Sequence, residues 1–250
     1  MNERPIASVP RPVLALLAAG LAAQVAWHGA QPPPAPRAED LPAPPARDLL
    51  AIAALGEPEV ASRLLMIWLQ AFDNQPGVSI PFTRLDYDRV EAWLDAALAL
   101  DPRTEYPLLA AARLYAAVPD DARRRQMLEW VYERFLEDPN RRWRWLAQAA
   151  ITAKHRLGDL ELALRYARAL NEHATGPAVP AWARDMAVSV LEDMGEQEAA
   201  MILVGELLDS GRVTDPNEIR FLVRKLEELQ AGPGGEPAPG GPAPAGAAPE

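Results

Sequence analysis

Four prolines set at nearly equal intervals constrain this chain more than any other feature. Pro102, Pro139, Pro177 and Pro216 are separated by 37, 38 and 39 residues, and three of them follow an Asp, in LALDPR, LEDPN and VTDPN. A proline just past a helix end has no amide hydrogen to extend that helix, and its fixed φ suits the first turn of the next one. A second break splits each interval: VPDD at Val118 to Asp121, LGD at Leu157 to Asp159, and MGE at Met194 to Glu196. Each unit therefore reads as a helix, a tight turn, a second helix and a proline-marked return. A fixed period near forty with paired helices is the pattern of an α-solenoid.

Apolar spacing agrees with helices throughout the middle of the chain. Ala61, Leu64, Leu65, Trp68, Leu69 and Phe72 make one stripe, and Val90, Trp93, Leu94, Ala97 and Leu98 another. The same spacing recurs in Leu128, Val131 and Phe135, in Trp143, Leu146, Ala147, Ala150 and Ile151, in Met186 to Met194, and in Ala200 to Leu208. Residues at i, i+3, i+4 and i+7 turn one helix face to a core. No segment alternates convincingly with period two, so the expected fold class is all-α.

The segment GDLELALRYARAL, Gly158 to Leu170, resembles the turn and second helix of a tetratricopeptide repeat, with Ala163 at the small position where paired helices touch. VEAWLDAALALDP, Val90 to Pro102, resembles the end of such a repeat, and Gly195 with Ala200 repeats the spacing of Gly158 with Ala163. Trp143 and Leu146 after Pro139, and Tyr106 and Leu109 after Pro102, match the large residues of the family's first helix. The resemblance covers residues 86–230 and is degenerate: the family's period is about 34 residues, and Leu170 and Leu207 stand where it prefers Ala. It implies a fold of stacked helix pairs and a function based on binding.

The other prolines mark the ends. Seven lie between Gln31 and Ala46 and six in the last twenty residues. The expected organisation is a cytoplasmic N-terminus (1–11), an apolar anchor or signal segment (12–30), a Pro-rich linker (31–46), an N-terminal helix pair and loop (47–85), the repeats (86–230) and a disordered Pro/Gly/Ala tail (231–250). Val13 to Trp27 carries no charge, with Arg4 and Arg11 before it and no Lys or Arg after it until Arg37. That asymmetry predicts a cytoplasmic N-terminus and an exported, periplasmic body. At about 1.5 Å per residue, roughly 18 residues give about 27 Å, just a bilayer core. A cleaved signal peptide, which releases the body into the periplasm, is the competing reading. Its cleavage sites are poor, because His28 stands where a small side chain belongs.

Composition excludes several functions. The absence of Cys removes disulfide scaffolds, thiol catalysis and cysteine-ligated metals. The net charge of −10 falls almost wholly on the middle of the chain and disfavours nucleic acid as a partner. No nucleotide loop, GxSxG elbow, HExxH or EF-hand pattern occurs, and the three histidines, His28, His155 and His173, have no metal-ligand spacing. Neither an enzyme activity nor a cofactor is expected.

Two segments stand out. NRRWRWLAQAAITAKHR, Asn140 to Arg156, holds five basic residues and no acid. In the family it resembles, first helices line the binding groove. The resemblance thus implies a cationic stripe of Arg113, Arg144, Lys154, His155 and Arg184 that pairs with carboxylates of a protein or peptide partner. A solvated helix face with Trp143 in the core accounts for the same residues. The second segment is the long loop Asp73 to Arg84, which reads either as a recognition loop or as part of a cap on the first repeat, with Asp86 capping the next helix and Phe72, Phe82 and Tyr87 pinning it. These features together predict a membrane-tethered scaffold. An accessory subunit of a cell-envelope export or polysaccharide assembly is the alternative, and a glycan-acting enzyme using Trp68, Trp93 or Trp143 as a sugar platform is a third.

Overall fold

A computed structural model of the protein describes residues 10–31, 38–75, 77–211 and 213–231. Most of the expected cytoplasmic N-terminus, residues 32–37 of the Pro-rich linker and nearly all of the expected disordered tail lie outside the described residues. The described chain is all-helical, with twelve α-helices and two strands of two residues each. It divides into two compact units, Met1–Glu39 with Asp73–Ile80, and Asp40–Phe72 with Pro81–Glu250.

The first unit contains α1 (Arg11–Ala30), whose 20 residues include no buried side chain. It is long and apolar enough to cross a membrane. The same unit contains a small hairpin of β1 (Asn74–Gln75) and β2 (Val78–Ser79), with Asn74 opposite Ser79. Gly77 at φ 78° makes its turn, and the Ile80 amide donates to the Asp73 carbonyl at 2.7 Å. The Gln75 side chain exchanges two hydrogen bonds with the Glu39 backbone, at 2.8 and 2.9 Å.

The second unit begins with α2 (Arg47–Ala53), α3 (Pro58–Ala71) and α4 (Tyr87–Leu100). Just before α2, Leu41 is buried at 1% exposure, and its carbonyl accepts from Arg89; the Pro42 carbonyl accepts from Trp93 Nε1 at 2.7 Å. The last part of the proline-rich stretch is thus fastened to α4. The buried face of α3 is Ser62, Leu65, Met66 and Leu69, rotated from the stripe that spacing alone suggests, and Leu64 and Trp68 are exposed. Small Ser62 explains the rotation: its hydroxyl donates to the Ala97 carbonyl at 2.9 Å, which brings α3 close against α4.

Beyond α4 the chain runs through α5 (Tyr106–Leu109), α6 (Asp121–Glu137), α7 (Pro139–Thr152), α8 (Leu160–His173), α9 (Ala181–Arg184), α10 (Met186–Asp193), α11 (Gln197–Asp209) and α12 (Pro216–Ala231). The residues read as boundaries do mark them. Pro139 and Pro216 are the first residues of α7 and α12, and Gly158 and Gly195 take left-handed φ of 65° and 78° between helices. Asp86, Asp120 and Asp159 accept from amides in the first turns of α4, α6 and α8, each cap contributing about 1 kcal/mol. Helices pack chiefly on their chain neighbours: α6 on α7, α7 on α8, α8 on α10, α10 on α11 and α11 on α12. The core holds Tyr115, Phe135, Leu146, Tyr166 and Leu170 at 0% exposure. Each such buried aliphatic or aromatic side chain contributes about 2 kcal/mol. The rings of Phe82 and Tyr87 both meet Tyr115 edge-on, at 5.6 and 6.3 Å, so the chain after the hairpin is pinned as its aromatics suggest.

Candidate functional site

Two helices of the second unit end in π-helical turns. Ala110–Leu114 follows α5, and Ala153–Leu157 follows α7. A π turn inserts one residue, interrupts the i to i−4 ladder and leaves carbonyls to be satisfied from elsewhere. Buried Arg124 of α6 donates to two carbonyls just past the first π turn and to one within the second. Its Nε bonds the Ala116 carbonyl at 3.1 Å, Nη2 the Val118 carbonyl at 2.6 Å, and Nη1 the Arg156 carbonyl at 3.5 Å. One guanidinium therefore ties the end of the first irregular segment to the second.

The consequence is a polar recess. Arg113 on the first π turn and Arg156 on the second line a cavity of about 250 Å³ together with Gln148, Thr152, Ala112 and Ala116. Arg113 Nη2 reaches Gln148 Oε1 at 3.5 Å, while the Thr152 hydroxyl donates to the Gln148 carbonyl at 2.9 Å. No acidic residue lines this recess, and neither Arg113 nor Arg156 forms an ion pair among the described residues. Gln148 and Thr152 continue the row that starts at Arg144, at i, i+4 and i+8 on α7. Arg144 is exposed, its guanidinium 5.3 Å from the Trp143 ring centroid. The Thr152 hydroxyl and the Gln148 amide are engaged with each other, and the two guanidinium groups beside them are the donors suited to a carboxylate.

The structure thus distributes the expected cations. Arg113 sits in the recess and Arg144 on the same face of α7 as two of its lining residues. Lys154 is paired with Asp193 of α10. Arg184 is held by Glu218 of α12, with Nη2 3.1 and 3.2 Å from the two carboxylate oxygens. His155 is exposed on the second π turn. Of the other cations in the basic segment, Arg142 is buried and bonds the Arg134 carbonyl, Glu137 at 2.8 Å and the Pro102 carbonyl at 3.2 Å. Arg141 pairs with Asp138 at 3.1 Å. Arg156 belongs to the basic segment but not to the expected stripe, and Gln148, Thr152 and Arg124 are not marked by the sequence as site residues. The spacing 144, 148, 152 was the one available signal.

Among the described residues no group of His, Asp and Glu is arranged to hold a metal ion. Comparison with protein-family models, curated proteins and solved structures gave no match. The chemistry of the recess therefore rests on its own residues.

Proposed function

We propose that this chain is a membrane-tethered scaffold of tetratricopeptide-like helix pairs that binds a protein or peptide partner on the outer, periplasmic side of the membrane. The observation that carries the reading is the recess at Arg113 and Arg156, two guanidinium groups without acids in a protein of net charge −10. Sequential packing of α6 through α12 and the proline-marked period support the repeat architecture. The apolar α1, with Arg4 before it and Arg11 at its start, supports the tether, with the N-terminus cytoplasmic. An acidic segment of the partner, or its terminal carboxylate, is the group that two such guanidinium groups recognise.

The test is fluorescence anisotropy of a labelled, Asp- and Glu-rich octapeptide with a free C-terminus, titrated with the full chain in detergent micelles. Arg113→Glu and Arg156→Glu are expected to weaken binding about tenfold or more, and Arg141→Glu, on an exposed pair outside the recess, to leave it unchanged. Binding that is indifferent to both recess variants, or absent from the wild type, removes the site.

A further inference from the structure

A second cavity, of about 380 Å³, lies between α9, α10 and α12, and its chemistry is opposite in sign. Trp182, Val188 and Phe221 contribute apolar wall, with Trp182 54% and Phe221 44% exposed. Asp185, Glu218, Asp215 and Lys225 contribute the charged groups. Their partners are unequally shared. Glu218 has Arg184. Lys225 has Glu192 at 2.9 Å and Glu228 at 3.5 Å. Asp215 caps the Asn217 amide at 2.8 Å. Among the described residues the Asp185 side chain has no hydrogen-bond or ion-pair partner.

Asp185 stands at the junction of α9 and α10, the position from which an Asp ordinarily caps the following helix. Its side chain makes no such bond, although its backbone carbonyl accepts from Val188 at 3.0 Å. The residue is 6% exposed, and its Oδ1 is buried without a hydrogen bond among the described residues. Beside it, Glu218 is 7% exposed and already matched by Arg184, and Lys225 is engaged by Glu192 and Glu228, so no cation is left to offset Asp185 among the described residues that line the cavity. A buried carboxylate without a donor is costly, and the αR backbone of Asp185, φ −85° and ψ −1°, differs from the extended backbone from which a side chain caps a helix. Aromatic faces next to an anion favour an organic cation over a metal ion, which takes several oxygen ligands.

We propose that this cavity receives a lysine or arginine side chain of a partner protein, its cationic head on the Asp185 carboxylate and its aliphatic stem against Trp182, Val188 and Phe221. The site is separate from the Arg113 and Arg156 recess and does not depend on it. Burial, and next the charge of Glu218, push the Asp185 carboxyl up to about 6, while Arg184 acts in the opposite direction. The ligand needs the ionised form, so its binding weakens as pH falls through that value.

The experiment labels the full chain with 5-fluorotryptophan in detergent micelles and follows the Trp182 resonance, assigned through Trp182→Phe. The probes are Nα-acetyl-lysine methylamide, Nα-acetyl-arginine methylamide, the uncharged norleucine analogue and spermidine. At about pH 7.5 one or both cationic amino acids should shift the resonance saturably and the norleucine analogue should not. Asp185→Asn should weaken the effect about tenfold, and so should lowering the wild type to about pH 5. The pH arm keeps the test valid if the variant does not fold. No saturable shift, equal response to norleucine, or indifference to both pH and Asp185→Asn overturns the proposal. Spermidine binding more tightly than either amino acid also overturns it, assigning the cavity to a free polyamine.

Discussion

Glu91 on α4 shows how strongly a single group can be set by its neighbours. Burial, with Asp88, Asp95 and Glu133 nearby, pushes its carboxyl from 4.5 up to about 7, against a hydrogen bond from Gln126 that favours the charged form. The folded protein therefore holds this proton more tightly than the unfolded chain. Stability from this group is complete below about pH 4.5 and is lost as pH rises through about 7. Glu91→Gln is expected to be about 1–2 kcal/mol more stable than the wild type at pH 8, after allowance for partial solvent screening, with no difference near pH 4.5. Urea denaturation at the two pH values measures it, and equal midpoints at pH 8 would contradict the assignment. The arginines of the basic segment show the opposite limit. Arg142 and Arg144 are two residues apart and chemically identical, yet one is buried on carbonyls and the other exposed over Trp143. Helical phase separates them, and spacing alone locates that phase only to within about one residue.

Elements whose boundaries rest on backbone chemistry were legible, and those that rest on packing were not. Pro139, Pro216, Gly158, Gly195 and Asp86 each act locally, through a missing donor, a left-handed φ or a cap, and each marks its boundary in the structure. The π turns at Ala110–Leu114 and Ala153–Leu157 have no such marker, because ordinary helix formers occupy them and Arg124, over thirty residues from Arg156, supplies the bond that spans to the second. The recess, built on these turns, is not legible in the sequence for the same reason, although the resemblance implies a binding role for Arg113. Two glycines test the local part of this account. Gly158 has φ 65° and open space where a Cβ would stand, so Gly158→Ala should cost about 1 kcal/mol through backbone strain alone. Gly205 lies inside α11, also with open space, so Gly205→Ala should gain up to about 1 kcal/mol. Thermal unfolding should move the two variants in opposite directions, and a common direction would show that packing, not backbone preference, governs these positions.

At the scale of the molecule, charge and hydropathy are divided between parts of the chain. Most of the net charge of −10 falls outside the first 47 residues, while α1 contains twenty residues with no buried side chain and Arg11 as its one charged residue. Among the described residues nothing buries this helix, and leaving that much apolar surface in water is strongly unfavourable at about 25 cal/mol per Å². A bilayer is the solvent that removes this term, whereas the acidic body is repelled by an anionic membrane surface. The full chain should therefore stay in the membrane pellet after alkaline carbonate extraction, and removal of residues 10–31 should release it to the supernatant without loss of helicity. A mature N-terminus near Ala23 or Gln31 would instead identify α1 as a cleaved signal. With α1 replaced by a cleavable signal, a scaffold that acts through Arg113 and Arg156 keeps its affinity for the acidic peptide and for its partner. An assembly subunit whose α1 makes the contacts keeps the first and loses the second, so these two measurements on one variant separate the readings.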